Sequence, residues 1–395
     1  MTTSSSEAAI YTSAPHTRPI WAEVSRRRLL HNYRLLERLA GPDADLLAVI
    51  KANAYGHGFE GCALALAAAG AQWFGVTCVE EAVGLRAILP SARILVMSGV
   101  YPGEADAVLD HQLTPVVWDA AHLEALVEAA DRRRAEAGSV RVHLEIDSGM
   151  SRQGVHLKNL LLLLDHFDPG SPLRIEAAMT HFHSPDDAAA THEQIGQFTT
   201  CLKVLTQHGI RLKFVSAGSS ADLLEGASAD VNQLATEMGA RRMYRTGIGL
   251  YGYAPSGQEE HGLQPVLSWK TRVVSLRDIA EGVTAGYGAT FRAQRFTRLA
   301  LLPIGYADGL NRLLSNRGSV LIRGHRATIA GRISMDQTMV DVTDLPRVDV
   351  GDEAVLIGTQ ARETITAADL AQCTGTIAYE VLCNIGERVP RVMAD

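Results

Sequence analysis

The segment DLLAVIKANAYGHGFEGCALALAAAGAQWFGVTC, Asp45 to Cys78, sets the pattern for most of the chain. An apolar run ends at Lys51, and a small-residue turn carrying Tyr55 and His57 follows it. FEGCALALAAAG then reads as a helix closed by Gly70, and WFGVTC as the next strand. The same texture recurs outward. RILVMSG, LTPVVWD, VRVHLEID, RIEAAMTHF, KFVSAG and MYRTGIGL continue the strands, with Ala/Leu-rich helical stretches such as VEEAVGLRAIL between them. Eight strands alternating with helices between Leu46 and Leu250 predict a closed parallel (β/α)8 barrel of the TIM type. An open doubly wound sheet is the rival, but no G-x-G-x-x-G follows the first strand.

From about Leu267 the helices thin out. WKTRVVSLRDI, RLALLPIGYADG, GSVLIRGHRATIAGRISMDQTMVDVTD and DEAVLIG come in succession, which predicts a mostly antiparallel β C-terminal domain. TITAADLAQCTG reads as a helix capped by Thr364. The boundaries read as a disordered tail over 1–18, the barrel over 19–256 and the β domain over 257–395. The linker lies between Tyr253 and Gln264.

Composition narrows the function classes. The chain has 395 residues, 47% hydrophobic and 21% charged, enough for two globular domains. A net charge of −7 offers no basic field for nucleic acid. The five cysteines are scattered, as free thiols in a reducing compartment are. MTTSSSEAAIYTSAPHTRP lacks the basic start and apolar core of a signal peptide, and no run approaches the ~20 apolar residues of a membrane span. A cytoplasmic enzyme that binds neither membrane nor nucleic acid is expected.

In a barrel of this kind the active site lies at the C-terminal strand ends. Those ends carry Lys51, Glu145 with Arg152, His181, Ser219, and Arg245 with Gly247. A strand-end lysine alone is most simply a solvated cap. Set among two guanidiniums, an imidazole and a hydroxyl, it reads as a Schiff-base lysine in a partly desolvated mouth. The SAGSS turn opens a helix after the seventh strand, and Gly247 and Ile248 follow the eighth, where barrels hold a phosphate. Tyr55 supplies a phenol nearby. A reactive amine beside a phosphate site points to pyridoxal phosphate.

The fifth strand has two faces. Val140, Val142, Leu144 and Ile146 form the face toward the helices, so Arg141, His143, Glu145 and Asp147 point inward, and Glu145 comes within reach of Arg152. His181 and His183 could share a metal with Asp186 or Asp187, but no further cluster completes a ligand set, and no metal is expected.

Taken together, AVIKANAYGHG, DSGMSRQGV, THFHSPDD, YRTGIGLYG, AGYGATF, PIGYADG, GRISMDQ and AYEVLCNIGERVPR resemble the alanine racemase family, in the family's order, over roughly residues 19 to 393. The resemblance implies a pyridoxal-phosphate isomerase that interconverts L- and D-alanine, with cell-wall synthesis the natural use of a cytoplasmic D-alanine source. Lys51 would hold the cofactor and serve as the base on one substrate face, with Tyr287 the base on the other. Tyr55, Ser219, Gly247, Ile248 and Tyr379 match phosphate-binding positions. Arg245 matches the arginine at the pyridine nitrogen, and His181 the histidine near the catalytic tyrosine. Arg152 matches the arginine that contacts the cofactor phenol and the substrate carboxylate. Met335 matches a residue whose backbone holds that carboxylate, and Tyr306 a tyrosine of the entrance. The family's second tyrosine comes from another subunit, so a head-to-tail homodimer with shared sites is implied.

Moving an α-proton between faces is simplest with two opposed bases, and lysine and tyrosine serve only when their surroundings draw their pKa values toward neutrality. A charged His181–Arg245 network beside Arg152 is expected to favour the phenolate. An arginine does not give up a proton, so the ring nitrogen beside it stays unprotonated and side reactions are suppressed. The sequence also departs from the family. Glu145 stands where a carbamylated lysine is usual and is expected to replace its negative charge. Gly218 stands for asparagine, Thr246 for proline and Ser334 for cysteine. A serine or broad-specificity racemase is the nearest alternative. A fold-related pyridoxal-phosphate decarboxylase is more distant, opposed by Tyr287 and Arg245. A lone-barrel cofactor carrier lacks the β domain.

Overall fold

The computed structural model describes residues 17–224, 229–255 and 261–395. The expected tail up to residue 16, and residues 256–260 of the expected linker, lie outside the described residues. The chain divides into two compact units. One is Ser25–Val266 with Asp395; the other joins the residues before Ser25 to Leu267–Ala394. The sequence reading set the boundary at 256/257 and put residues 19–24 with the barrel. The structure instead enrols β1 (Ile20–Ser25) in the β unit, because Ile20, Ala22 and Val24 alternate inward and pair with Leu267–Arg272.

In the barrel unit, among the described residues, eight parallel strands close on themselves: β2 (Ala44–Val49), β3 (Trp73–Val76), β4 (Arg93–Val96), β5 (Thr114–Val117), β6 (Val140–Glu145), β7 (Leu173–Met179), β8 (Phe214–Ser216) and β9 (Arg241–Thr246). Closure is the β2–β9 pairing, Ala44 opposite Arg242 through Ala48 opposite Thr246. All eight overlap the runs expected from sequence, with β2, β7 and β9 beginning one or two residues earlier. The helix Arg26–Ala40 shows why the outer layer forms. Leu29, Tyr33, Leu36 and Ala40 recur at helical spacing and are buried, and Ser25 caps the start by accepting from Arg28 N. Each buried leucine contributes about 2 kcal/mol. Asp119 and Asp187 cap Ala120–Arg132 and Ala188–Gln207 in the same way.

The lower barrel interior is closed by Trp73, Phe214 and His143, with Phe214 edge-on to Trp73 at 5.6 Å. Beneath them Arg93 lies 4.0 Å from the Trp73 ring centroid and pairs with buried Glu176 at 2.5 Å. Burial alone would raise the Glu176 carboxyl, but His143 and Arg93 bring it down to about 2. On β6 the expected inward face holds for His143 and Glu145, which are buried, whereas Arg141 at the strand start is exposed.

Among the described residues, the β unit carries a large sheet, in the order Ser275–Ile279, Thr297–Leu302, Thr338–Asp341, His325–Ile329, Ser319–Ile322, Glu353–Gln360, Leu267–Arg272, β1, Arg391–Ala394, with Glu363–Ile365 added beside Glu353–Gln360, and a two-stranded ribbon of Thr284–Ala285 and Phe291–Arg292. WKTRVVSLRDI is two strands in different places in this sheet. Ser319–Ile322 and His325–Ile329 form a hairpin whose two loop residues, Arg323 and Gly324, both have positive φ, the turn that matches strand twist. The helix in TITAADLAQCTG is Ala367–Thr374, and its cap is Thr366 rather than Thr364. Thr366 and Asp369 satisfy each other's backbone N–H groups, while Thr364 belongs to a strand. Among the described residues no helix is long and apolar enough to cross a membrane.

Candidate active site

Lys51 follows the end of β2, and the chain then makes an unusual turn. Ala52, Asn53, Ala54 and Tyr55 all have φ between 52° and 55°. Non-glycine residues pay roughly 1–2 kcal/mol each for this left-handed region, so the surroundings must hold it. Ala54 N donates to Ile50 O at 2.9 Å, and Asn53 Oδ1 accepts from Phe59 N at 2.7 Å. His57, which the sequence left without a role, is buried with Nδ1 2.9 Å from Tyr55 O and its ring 4.5 Å from that of Tyr251.

Tyr55 stacks on Tyr251 at 4.9 Å, and the Tyr251 hydroxyl donates to Val49 O. The Tyr55 hydroxyl sits so close to Gly247 that a Cβ there would lie 2.4 Å from it. The phenol is thereby delivered to the loop after β9, and only glycine allows it. Gly218, after β8, is equally constrained, since a Cβ would lie 2.4 Å from the Tyr244 ring. That ring explains why asparagine is absent here. Ser219 N and Oγ both donate to Asp222 Oδ2, at 2.7 and 2.9 Å, so its hydroxyl is engaged within its own turn. Ser220 does what sequence reasoning did not foresee: its Oγ accepts from Gly247 N and Gly249 N, joining the two loops. Thr246 also has a local reason, its hydroxyl donating to Leu47 O across the β9–β2 closure. Phenol, serine hydroxyls and a glycine-bared backbone beside a strand-end amine fit a phosphorylated aldehyde such as pyridoxal phosphate.

Arg245, on β9, is buried and heavily engaged. Nη1 donates to Ser216 O and Oγ at 2.7 Å each, and Nη2 donates to Thr180 O at 2.7 Å and to His181 Nδ1 at 3.0 Å. Burial lowers this guanidinium from the ordinary arginine value while Glu145 and Asp222 oppose the change. His181 is brought down to about 3 by burial and by the cations Arg245, Arg152 and Lys51. The expected charged His181–Arg245 network is therefore corrected. His181 is neutral and accepts at Nδ1, and the positive charge belongs to the arginines.

Glu145 is 3% exposed at the end of β6. The sequence placed it against Arg152; the structure bonds it to Gln153, whose Nε2 donates to Glu145 Oε2 at 2.5 Å and to Met97 O at 3.1 Å. Arg152 itself is exposed and reaches Glu145 and His181 through its charge. Burial raises the Glu145 carboxyl, and Gln153, Arg245 and Arg152 limit the rise. Nothing in a lone glutamine one position past an arginine marks this role in advance.

The remaining candidates belong to the β unit. Tyr287 heads a short 3-10 turn after Gly286 and is 70% exposed. Tyr306 and Met335 are brought together, because Tyr306 N donates to Ser334 O and Ala307 N to Met335 O. Gly305 permits this approach, as a Cβ there would lie 2.2 Å from Ser334 O. Asp308 anchors the turn from below, fully buried, bonded to Arg18 and Gly305 N and 3.3 Å from Arg388. Replacing Asp308 by alanine is expected to lower stability by about 2–3 kcal/mol, read from denaturant unfolding, since charge-assisted bonds are lost together. Tyr379, in the helix Ala378–Cys383, has its phenol pushed up to about 12 by burial, so it stays a donor.

Comparison with known proteins matches this arrangement to a family. The profile described as alanine racemase, N-terminal domain, matches residues 24–255, and alanine racemase, C-terminal domain, matches residues 266–393. The alanine racemase of Halothermothrix orenii is 38% identical over 380 residues, 95% of this chain and 97% of that protein. The solved alanine racemase of Streptomyces coelicolor A3(2) is 32% identical, with a TM-score of 0.88 over 97% of this chain and 100% of that one. The solved alanine racemase of Bartonella henselae, with covalently bound pyridoxal phosphate, is 30% identical, with a TM-score of 0.83 over 95% and 99%. With both of its halves matched and a barrel whose strand ends suit the same cofactor, the chain belongs to the alanine racemase family of pyridoxal-phosphate-dependent isomerases.

Proposed function

We propose that this chain interconverts L- and D-alanine by moving the α-proton between Lys51 on one face of the substrate and Tyr287 on the other. The observation that carries the reading is the Lys51 turn, with the Tyr55 phenol delivered onto Gly247 beside the Arg245–His181 pair. Lys51, Tyr55, Ser219, Gly247, Ile248, Arg245, His181 and Arg152 would hold pyridoxal phosphate, joined by Tyr379. When bound, the cofactor withdraws electrons from the substrate Cα and so acidifies its proton.

The protein's own residues do the rest. Lys51 and Tyr287 take and return the proton. Arg152 presents an exposed guanidinium for the substrate carboxylate, with Met335 backbone as a second contact and Tyr306 at the entrance. Arg245 keeps its protons, so it cannot hand one to a ring nitrogen, and neutral His181 accepts from it rather than competing as a cation. Glu145 would set its carboxylate charge against Arg245 and Arg152, in the place of the family's carbamylated lysine.

Tyr287, Met335 and Tyr306 are 70%, 53% and 43% exposed, which is costly for large side chains and supports cover by a second copy. The proposed assembly is a cytoplasmic homodimer with each site shared, making D-alanine for cell-wall synthesis. The test is chiral chromatography of purified protein supplied with pyridoxal phosphate and either L-alanine or L-serine. Alanine turnover exceeding serine turnover supports the reading, and none on either overturns it.

Glu145 yields a prediction with its own pH signature. Its folded pKa is raised, so acidification protonates it earlier than an ordinary glutamate. If the anion serves the site, kcat/KM falls on that acidic limb. Glu145→Gln should lower kcat/KM about 10-fold, a loss on the scale of one charge-assisted contact, and flatten the limb. An unchanged pH profile in the variant would remove Glu145 from the site.

A further inference from the structure

We infer that Glu81 is a positioning residue for Lys51. Glu81 is the third residue of the helix Val79–Ile88. A glutamate in that place normally turns back to the backbone N–H of its own helix cap. Here its two oxygens go elsewhere. Oε2 accepts from Thr77 N at 2.7 Å, just past the end of β3, and Oε1 accepts from Ala52 N at 2.8 Å.

The Ala52 N–H belongs to the peptide that joins Lys51 to the left-handed turn. The preceding residue is fixed from the same direction, since Ile50 N donates to Gly75 O on β3 at 2.9 Å. Lys51 is thus clamped between two anchors set by the β3 segment, one a strand bond and the other the Glu81 carboxylate. The clamp matters because of the turn it begins. Ala52 has φ 52°, and three more non-glycine residues follow in the same region. A backbone under such strain relaxes when a restraint is removed, and the nearest relaxation rotates the Lys51–Ala52 peptide. That rotation re-aims the Cα–Cβ bond of Lys51 and moves its amine. A carboxylate is suited to the task, because bonds from backbone N–H to an ionised acceptor are shorter and stronger than neutral ones. No cofactor or substrate atom need touch Glu81.

The inference rests on Lys51 as the cofactor-holding base. The experiment uses full-length protein loaded with pyridoxal phosphate. It measures kcat and KM for alanine, the pH dependence of the visible band of the lysine-bound cofactor, and the thermal midpoint. Glu81→Ala should lower kcat about 30-fold with KM changed less than about 3-fold, as misplacement of a reacting group does. It should also shift the pH at which the visible band changes. Glu81→Gln keeps one accepting oxygen and should lose about 5-fold. Ala52→Gly, which removes the penalty for positive φ, should recover most of the loss in either background. Glu80→Ala, its exposed neighbour, should leave kcat unchanged. If Glu81→Ala does not fold, the Glu81→Gln and Ala52→Gly pair carries the same comparison. Unchanged kcat per bound cofactor in the Glu81 variants, or no recovery with Ala52→Gly, overturns the inference. Turnover surviving Lys51→Ala would instead overturn the role of Lys51, a separate result.

Discussion

Lys51→Ala is expected to lower kcat/KM for alanine by at least about 10⁴-fold, because one substitution removes both the covalent hold on the cofactor and a base. The visible band of lysine-bound cofactor should vanish, while thermal unfolding stays near that of the parent. Lys51 is only half-buried and begins a turn where its neighbours make backbone bonds of their own, so those bonds persist when the amine is removed. Lys51→Arg retains the charge without an amine that can add to a carbonyl, and it should be equally inactive. Substantial turnover in either variant would place the chemistry elsewhere.

Tyr287→Phe should cost about 10²–10⁴-fold in racemisation, the usual range for one general acid–base group, and leave cofactor binding intact. With one base gone, the other still works its own face. Exchange of the α-proton with deuterated solvent should therefore persist for one enantiomer and disappear for the other. Equal loss of exchange for both enantiomers would contradict a two-base division of labour. A mixing experiment adds the subunit question. Mixing Lys51→Ala with Tyr287→Phe chains should restore about a quarter of parental activity. Half the dimers are then mixed, and one of the two sites in each has both bases. No restoration would mean that both bases come from one chain.

Much of this was legible before any tertiary structure. Period-two and period-3.6 patterning is local, so eight strands, their helices and the change of texture near Leu267 could be read along the chain. The strand-end positions of Lys51, His181 and Arg245 follow from that reading, because a closed parallel barrel gathers its C-terminal ends at one mouth. Motifs such as AVIKANAYGHG and AGYGATF carried the family resemblance by residue type and order alone. Thr364 shows the limit of local signals: it reads as the cap, but Asp369 pairs with Thr366 instead.

Tertiary structure decided which partner each polar group takes. His181 looked like half of a charged pair, yet burial beside three cations leaves it neutral. Glu145 was read against Arg152 and is held by Gln153, while Ser220, which the sequence did not single out, joins the loops after β8 and β9. The membership of β1 in the β unit depends on a pairing across some 250 residues of chain. Such choices turn on desolvation and on distances between groups remote in sequence, which no local pattern encodes. What the sequence by itself determined is the set of reactive groups and the strand ends that bear them. Only the packed fold decided their charge states and the clamp on Lys51, because both depend on which neighbours exclude water.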